Sequence, residues 1–582
     1  MDGNGGTKDR VAQRHLIDVA AGRAPADLVV KRAKVVDVFT REIVEGDVAV
    51  AGGVVAGVGS YEGREEIDAA GRYLSPGLID GHMHLESTMV RPSQFATAAV
   101  PHGTTAVIAD PHEVANVCGT DGIDFILRDT EGIPMDVFIM IPSCVPATEY
   151  ETSGSRLAAS DIAPYMDNPR VRGLGEMMAY PQVIAAEDGV LDKIDVPRRE
   201  IGQLVDGHSP LVMGRDLNAY IAAGVGTDHE CGTVDEMRAR LSLGMYVQLR
   251  EGAATRDLDT LIPGVTPGNA ARCLFCTDDK HPEDIRARGH IDHNVRKAVR
   301  LGLDPLIASQ LASINAASCY GLAGMGAIAP RYQADFILFE DIREMRVQEV
   351  YKRGKLVAKD GRALFAANDF ADAKVTGTMH MKPVKPEDFR IPLAGTRAHV
   401  IGLKTYSVVT EDLVMDVPVS GGCFQHDASR DILKLAVVER HFASGNIGLG
   451  LISGFGLKGG AIASTITHDS HNLIVVGDND PDMAAAANEL ARVGGGVTIA
   501  SGGRALSTLP LPIAGLMSDH SVNEVAEVVG QMKARAKGLG VPDDVEPFMT
   551  LAFMALPVIP YLKLTDRGLF DVSRFAFTPI DA

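Results

Sequence analysis

Residues 76–89 read "PGLIDGHMHLESTM" and place two histidines, His82 and His84, one residue apart at the end of a short apolar run. In a β-strand, side chains two residues apart point to the same face. The run is therefore predicted to be a strand that presents both imidazoles on one side. The motif alone fits either a pair of metal ligands or two polar residues of a surface loop, so its meaning depends on the rest of the chain.

Seven more apolar runs follow, and each leads into polar residues and then into a helical stretch. They cover residues 104–113, 136–146, 171–178, 201–210, 224–230, 245–253 and 272–279. Together with residues 74–84 they form eight βα units over roughly 250 residues, which is the size of a TIM-type barrel. A doubly wound open sheet would carry a glycine-rich phosphate turn after its first strand, and the sequence has none. We predict an α/β protein with a (β/α)8 barrel at 76–327.

Strand-like patterns on both sides of the barrel predict one small composite domain. Residues 27–60 and 333–362 alternate apolar and polar side chains between turn residues, which is typical of short antiparallel strands. We predict a β-sandwich formed by residues 1–75, which begin with a helix at 8–24, and residues 328–370. Residues 371–582 are predicted to form a C-terminal α+β domain, in which residues 427–445 read as a turn leading into a helix.

Composition narrows the kind of partner. The formal net charge of −20 opposes binding to nucleic acid or to an anionic membrane surface, and it leaves a small-molecule substrate open. Seven cysteines in 582 residues form no paired framework, which indicates a reducing compartment. We find neither an apolar leader nor an uncharged apolar stretch of roughly 18 residues, so we expect a cytoplasmic protein without a membrane span.

The remaining strand ends supply the partners of the two histidines. Catalytic residues of TIM barrels gather where the strands end. Taken singly, these side chains could be structural, for example as a core histidine or a helix N-cap. Occurring together, four imidazoles and two carboxylates suit divalent transition metals and exceed one tetrahedral site, so two ions are predicted. The candidate metal ligands are His82, His84, Glu176, His208, His229 and Asp278.

This order of residues resembles the amidohydrolase superfamily, and so does the split β-domain. Many members bridge their two metals through a carboxylated lysine on the fourth strand. Residues 171–181, "VRGLGEMMAYP", contain no lysine, so the resemblance assigns the bridging position to Glu176. Longer segments, namely "GLGEMMAYPQV" (173–183), "LVDGHSP" (204–210), "CTDDKHPEDI" (276–285) and "THDSHN" (467–472), resemble bacterial adenine deaminases, and the resemblance extends over nearly the whole chain.

The resemblance implies hydrolysis of adenine to hypoxanthine and ammonia, a reaction of purine salvage. The nucleophile would be a hydroxide that bridges two divalent ions per subunit, Mn²⁺ or Fe²⁺. Asp278 would accept the proton of the nucleophile and pass it to the leaving amine. Adenine is the expected partner, and we expect a homo-oligomer, specifically a dimer.

Protonation of the ring at N1 requires a second acid. The candidates are Glu113 and Glu230, and we favour Glu113 because Asp110 and His112 beside it form a dense polar cluster. The same cluster could instead be a helix N-cap.

Arg250 and Glu251, at the end of the seventh strand, and Asp110 are candidates for binding the purine edge. A structural ion pair is the alternative reading for the first two. The C-terminal His468 and His471 could belong to a further metal site, a lid over the substrate or a hydrogen-bonded turn, and the sequence leaves this open.

Two other functions compete with deamination. A glutamate-bridged deacetylase of N-acetyl amino sugar phosphates would need basic residues at the barrel mouth, whereas the loops here are mostly acidic. A non-enzymatic scaffold would be expected to have lost some ligands, and all six are present. Cys273 and Cys276 lie inside an apolar strand and lack the H-x-E…P-C-x-x-C arrangement of zinc nucleobase deaminases, so we interpret them as buried cysteines.

Overall fold

The computed structural model describes residues 5–198, 201–253, 255–404, 407–427 and 429–582. The described part of the chain begins with one helix, which starts at Gly5 and ends at Ala20, earlier at both ends than the helix predicted at 8–24, and five strands. These are α1 (Gly5–Ala20), β1 (Ala26–Asp37), β2 (Glu42–Ala51), β3 (Val54–Gly59), β4 (Gly63–Asp68) and β5 (Tyr73–Pro76). The first four residues of the predicted N-terminal segment lie outside the described residues.

The central part alternates strands and helices. Its strands are β6 (Leu78–Met83), β7 (Thr104–Ala109), β8 (Asp136–Ile141), β9 (Val171–Met177), β10 (Leu204–Gly207), β11 (Thr227–Asp228), β12 (Tyr246–Arg250) and β13 (Cys273–Cys276). Its helices are α2 (Pro92–Ala99), α3 (His112–Cys118), α4 (Thr120–Asp129), α5 (Ala159–Ile162), α6 (Tyr180–Ile184), α7 (Asp188–Ile194), α8 (Gly214–Ala222), α9 (Val234–Ser242), α10 (Leu258–Leu261), α11 (Pro282–Arg288), α12 (Ile291–Arg300), α13 (Pro305–Leu311) and α14 (Ile314–Cys319).

These strands form a parallel barrel, and each overlaps one of the eight predicted runs. β6 to β10 make one five-stranded sheet and β11 to β13 a three-stranded sheet. Parallel bridges between Val205 and Val225 and between Met83 and Asp278 join the two sheets at both edges. Strands β6 and β7 are buried along their whole length, which explains why they read as continuous apolar runs. The predicted barrel is confirmed.

Strands from both ends of the barrel share one sheet. After the barrel come β14 (Phe336–Phe339), β15 (Glu349–Lys352), β16 (Lys355–Lys359) and β17 (Arg362–Ala363), and β14 pairs with β5. The strand order is β17-β16-β15-β14-β5-β1-β2-β3, with β4 added beside β1. The described strands thus form a single nine-stranded hydrogen-bonded sheet composed from both flanks, rather than two sheets joined only by packing. The domain limits themselves stay predictions.

The C-terminal part combines a large sheet with three helices. Its elements are β18 (Arg397–Gly402), β19 (Glu411–Asp416), β20 (Val419–Ser420), β21 (Cys423–Phe424), β22 (Ile432–Val438), β23 (Ile447–Ser453), β24 (Ala461–Ser464), β25 (Leu473–Gly477), α15 (Asp480–Val493), β26 (Gly496–Ser501), β27 (Arg504–Pro510), α16 (Val522–Gly538), α17 (Pro547–Ala552), β28 (Leu562–Thr565), β29 (Gly568–Asp571) and β30 (Ala576–Phe577). Eight of the strands form one sheet in the order β19-β18-β23-β22-β25-β24-β26-β27.

The helix predicted within residues 427–445 is wrong. The segment forms β22, which lies in the middle of the sheet between β23 and β25. Every residue of β22 is buried, including Lys434, whose ammonium pairs with Asp480. Because both faces of a central strand are covered, its sequence loses the alternation that marks a half-buried strand and reads equally well as a buried helix.

The C-terminal part packs directly against the barrel. One continuous hydrophobic core contains Ile123 and Val137 from the barrel side together with Val437, Ile474 and Leu551 from the C-terminal side. A helix long and apolar enough for a membrane span does not occur among the described residues.

A buried lysine marks the packing of β28. The Lys563 side chain is fully buried, and its Nζ donates to the carbonyl oxygens of Val408, at 2.8 Å, and Phe553, at 2.9 Å. In the part of the chain that the structure describes, no carboxylate forms an ion pair with it. Burial therefore lowers the pKa of Lys563 to about 7.

We predict that replacing Lys563 changes how the stability depends on pH. Between its folded pKa of about 7 and the ordinary lysine pKa of 10.5, the unfolded chain binds more protons, so the free energy of unfolding rises with pH. In Lys563→Met this contribution is absent, so the stability of the variant relative to wild type should fall by about 1 kcal/mol per pH unit from pH 7 to 9. Urea unfolding at several pH values measures the difference.

Lys458→Met, at an exposed position of the same domain, is the matched control and should show no such slope. A difference between Lys563→Met and wild type that stays constant with pH would contradict the lowered pKa.

Candidate metal centre and active site

The barrel brings the six candidate ligands together at the carboxyl ends of its strands. His82 lies in β6 and Glu176 in β9, and the other four follow the ends of β6, β10, β11 and β13. Each residue is at most 4% exposed, so the set faces the barrel interior. The six residues are His82, His84, Glu176, His208, His229 and Asp278.

Glu176 lies at the centre of the imidazoles. Its Oε2 is 2.9 Å from Nε2 of His229 and 3.0 Å from Nδ1 of His208. Its Oε1 is 3.6 Å from Nε2 of His84, and Nε2 of His82 lies 3.9 Å from Oε2. Burial would raise the pKa of Glu176, but His208 and His229 outweigh it and hold that pKa well below its usual range, so the carboxylate is ionised.

Asp278 faces the same imidazoles from the opposite side of the cluster. Its Oδ1 is 3.1 Å from Nε2 of His84 and 3.7 Å from Nε2 of His82. Burial raises the pKa of Asp278, but the neighbouring imidazoles of His82 and His84 and the charge of Arg250 lower it well below the ordinary value. The residue is ionised and reaches the centre of the cluster.

The donor atoms fit divalent metal ions. Among the described residues, both ring nitrogens of His82, Nε2 of His208 and Nδ1 of His229 are buried without a hydrogen-bond partner. Buried polar atoms are normally satisfied, so these nitrogens point to a ligand. Donor atoms of His82, His84 and Glu176 lie within 4.8 Å of one another, and the same holds for Glu176, His208 and His229. Imidazole nitrogen and carboxylate oxygen are the donors that such ions prefer.

Asp110 positions the ligands rather than facing the cavity. Its Oδ2 accepts a hydrogen bond from the backbone N–H of Glu176 at 2.8 Å, and its backbone oxygen lies 3.0 Å from Nδ1 of His84. A Cβ on Gly175 would lie 2.1 Å from Oδ2 of Asp110, so only glycine allows this approach. The structure therefore does not bring Asp110 to the position expected of a residue that binds the purine edge.

Arg250 joins three carboxylates at the cavity wall. Its Nη1 is 3.0 Å from Oδ2 of Asp278 and also pairs with Glu230, while its Nε is 2.9 Å from Oδ2 of Asp257. Burial would raise the pKa of Glu230, but Arg250 and the neighbouring histidines lower it, so Glu230 is ionised. Arg250 and Glu230 both line the cavity above the cluster.

Glu251 lies away from this cavity, contrary to its predicted role in binding the purine edge. Both of its carboxylate oxygens are 2.9 Å from Nζ of Lys297. Successive residues at the end of a strand point to opposite faces, so Arg250 turns inward and Glu251 outward. The contacts of Glu251 support the alternative role, a structural ion pair with Lys297.

Glu113 lies one layer behind the cavity. Its Oε1 accepts a hydrogen bond from Ser87 Oγ at 2.8 Å, and Ser87 also donates to Asp279, which does line the cavity. Its Oε2 is 3.7 Å from Nε2 of His471. Burial raises the pKa of Glu113. Of the two predicted acids, the structure brings Glu230 to the cavity and leaves Glu113 outside it.

The C-terminal part supplies one wall of the cavity; for this part the sequence left a further metal site, a lid over the substrate and a hydrogen-bonded turn open, and it gave no sign of the apolar wall residues. Val408, His468, Asp469, Phe553 and Leu556 line the cavity together with the candidate ligands. The dense polar motif "THDSHN" was a signal for His468 and Asp469. The apolar residues carry no such signal, because nothing in an apolar side chain distinguishes a cavity wall from an ordinary core.

A closed (β/α)8 barrel with a histidine and carboxylate cluster at the carboxyl ends of its strands defines a metal-dependent hydrolase of the amidohydrolase class. The family model described as "Amidohydrolase family" matches residues 73–357. A second model, "Adenine deaminase C-terminal domain", matches residues 407–576. The chain belongs to the adenine deaminase family.

Individual relatives cover almost the whole chain. An "Adenine deaminase" of Nitratidesulfovibrio vulgaris (strain DP4) is 53% identical over 97% of this chain and 98% of its own. An "Adenine deaminase 2" of Carboxydothermus hydrogenoformans is 50% identical over 97% of this chain and 99% of its own. Among solved structures, a β-aspartyl dipeptidase from Fervidobacterium islandicum AW-1 is 17% identical with a TM-score of 0.45 and covers 59% of this chain and 99% of its own.

We predict that Arg250→Met is strongly destabilising. The substitution leaves the buried carboxylates of Glu230 and Asp278 and the half-buried carboxylate of Asp257 without their shared cation, and losing one partner of a buried ion pair costs about 3–5 kcal/mol. Urea unfolding in the presence of saturating Mn²⁺ measures the loss. Adding Glu230→Gln to the variant should recover part of the stability, because it removes one of the uncompensated charges.

The matched control is Arg156→Met, which breaks an arginine–carboxylate pair with Glu149 whose side chains are 65% and 70% exposed. It should cost about 1 kcal/mol or less. Equal losses for Arg156→Met and Arg250→Met would contradict the structural role assigned to Arg250.

Proposed function

We propose that the chain hydrolyses adenine to hypoxanthine and ammonia, as a step of purine salvage. The observation that carries the proposal is Glu176, shared between a donor set with His82 and His84 and a second set with His208 and His229. Membership of the adenine deaminase family, with relatives at 53% and 50% identity over nearly full length, supports adenine as the substrate.

Two divalent ions per subunit, Mn²⁺ or Fe²⁺, fit this donor arrangement. His82 and His84 would hold one ion, His208 and His229 the other, with Glu176 between them and Asp278 as a further ligand. When bound, such ions bring the pKa of a water to about 7 and so make hydroxide available at neutral pH. No lysine lies at the position from which a carboxylated lysine bridges the two metals in many relatives. Glu176 would therefore supply the negative charge shared by the two ions.

Asp278 acts as the proton shuttle. The oxygen of water bonds to C6 of adenine while Asp278 takes the proton that the water releases. The C6–N bond then breaks, and Asp278 returns the proton to the departing amine, so ammonia leaves and the catalytic carboxylate is ionised again. Its Oδ2 stays 3.0 Å from Nη1 of Arg250, which holds the carboxylate in place during both transfers.

Protonation at N1 falls to Glu230 rather than to Glu113: the ionised carboxylate takes the second proton of the attacking water and passes it to N1, while the first goes to the amine through Asp278. As C6 becomes tetrahedral, the ring electrons need a proton at N1, and the donor must reach the cavity. Glu230 lines the cavity, whereas Glu113 contacts Ser87 and His471 behind it. Glu113 acts through Ser87, which it holds against Asp279.

For the assembly and the location, the expectations from the sequence stay proposals. We propose a cytoplasmic homodimer with adenine as its partner, and the acidic net charge of −20 supports a small-molecule substrate rather than nucleic acid.

We predict that the metal-loaded protein releases ammonia from adenine. The purified chain is loaded with Mn²⁺ or Fe²⁺ and ammonia is followed with adenine, adenosine and guanine, while acetate release is followed with N-acetylglucosamine 6-phosphate. Adenine should be turned over, and the amino sugar phosphate should yield no acetate. Protein that contains its metals and leaves adenine unchanged would refute the proposed function, and acetate release would favour the deacetylase.

We also predict that Asp278→Asn keeps bound metal but loses about a thousandfold or more in kcat, because an amide cannot accept the proton. Metal content per chain and kcat are measured on the same sample. Glu176→Ala should instead lower the metal content, since it removes the shared donor. Asp519→Asn, at an exposed position, is the control. Near-normal turnover by Asp278→Asn would exclude the shuttle role.

A further inference from the structure

A buried polar loop of the C-terminal part lies over the metal-ligand cluster. Residues 467–472 connect the region of β24 to β25, and every residue in this stretch is at most 2% exposed. Connecting segments normally run over the surface because buried polar groups are costly. The polar groups of this buried segment therefore need partners. Some of its groups hold the loop in place, and others face the cavity.

Hydrogen bonds hold the loop in place. Asn472 Nδ2 donates to the backbone oxygen of Thr152 at 2.8 Å, which ties the loop to the barrel. Nε2 of His441 lies 2.7 Å from the backbone oxygen of Ser470, and Arg440 donates to that of His471. The backbone of the loop is thus fixed from both the barrel and its own domain.

The side chains of His468 and Asp469 face the cavity and do not take part in holding the loop in place. His468 and Asp469 line the same cavity as Glu176 and Asp278. Among the described residues, Nε2 of His468 and Oδ2 of Asp469 are buried without a hydrogen-bond partner. A fixed loop that presents one free imidazole nitrogen and one free carboxylate oxygen to the active-site cavity has the features of a ligand-binding wall.

The surroundings favour a flat, partly polar ligand. The His468 ring stacks on Phe553 with centroids 4.4 Å apart, and Leu556 and Val408 add apolar surface to the wall. Burial would raise the pKa of Asp469, but His112 and His468 lower it below the ordinary value, so the carboxylate is an ionised acceptor. An ionised carboxylate makes its strongest hydrogen bond with an N–H group.

Asp469 lies about one aromatic ring away from the metal cluster. His112 lies between the two carboxylates, with Nδ1 3.5 Å from Oε1 of Glu176 and Nε2 3.6 Å from Oδ1 of Asp469. The two carboxylates are therefore separated by one imidazole ring and two contacts. A purine lying alongside His112 with C6 at the metal cluster would direct its imidazole ring, with its N–H group, toward Asp469.

We propose that Asp469 and His468 bind the imidazole edge of the purine, with Asp469 accepting the N9–H, and thereby select the free base over N9-substituted purines. The inference rests on the proposed deamination of adenine and deepens it. A substituent at N9 removes the hydrogen-bond donor and leaves the buried Asp469 carboxylate unpaired, so the site rejects it in addition to any steric effect. His468 donates from Nε2 to a ring nitrogen while Phe553 holds its imidazole plane.

The test compares adenine with 9-methyladenine in wild type and in Asp469→Asn. Wild type loaded with Mn²⁺ should favour adenine by a hundredfold or more in kcat/KM. In Asp469→Asn this ratio should fall below about tenfold, with most of the change in KM for adenine, because a site built to hydrogen-bond a substrate N–H discriminates through that bond. His468→Gln should raise KM for adenine and leave the ratio largely unchanged.

Metal content separates this role from metal binding. Donor atoms of His112, His468 and Asp469 lie close enough to hold an ion, so loss of one metal per chain in Asp469→Asn would make the residue a ligand and overturn the proposal. Asp482→Asn is the control, since Asp482 is a buried aspartate of the same domain that accepts hydrogen bonds from Asn479 and Gly503. It should keep the wild-type ratio.

Wild type alone keeps the proposal testable if Asp469→Asn does not fold. Efficient turnover of both adenine and 9-methyladenine by wild type would refute base selection and leave deamination intact. Failure of wild type to release ammonia from adenine would refute the proposed function itself.

Discussion

The buried carboxylate of Glu176 is the interaction on which the site depends. A carboxylate in a barrel interior is tolerated only when its charge is compensated, and here the histidines on either side provide the compensation at 2.9 and 3.0 Å. Its position is set from behind by Asp110, which accepts the N–H of Glu176 itself. That contact in turn requires glycine at position 175, so Asp110, just after β7, and Gly175 in β9 together fix the position of the Glu176 carboxylate.

The same logic repeats around the barrel. Asp80 precedes His82 by two residues on the same strand face and accepts hydrogen bonds from Thr277 Oγ1 at 2.5 Å and from the backbone N–H of Thr277 at 3.0 Å. Asp206 stands in the same relation to His208 and accepts from Tyr320 OH at 3.0 Å. Burial raises the pKa of Asp80 to about 6 and that of Asp206 to about 7. His82 and His208 are thus each preceded by an inward-facing aspartate that is hydrogen-bonded to a neighbouring element.

The sequence predicts this part of the site well because the relevant rules are local. A two-residue period places His82 and His84 on one face, and a parallel barrel collects the ends of its strands at one rim. By the same period, the adjacent residues Arg250 and Glu251 point to opposite faces of the strand. Assignments failed where the deciding contact is between distant segments: Asp110 lies against the backbone of Glu176, and β22 is a central strand only because β23 and β25 flank it. Sequence periodicity carries no information on those neighbours.

The barrel alone would leave the active-site carboxylates open to water, and the C-terminal wall covers them. Val408 and Phe553 face the cavity, and both of their carbonyl oxygens accept from the buried ammonium of Lys563, which lies outside the cavity. One side chain therefore couples two segments that are far apart in the chain and form one wall. With that wall in place the carboxylates of Glu176, Asp278 and Glu230 are screened from water, so their interactions with imidazole and guanidinium groups are stronger than at an open rim. The proton transfers assigned to Asp278 and Glu230 depend on this exclusion, because bulk water would compete for both carboxylates.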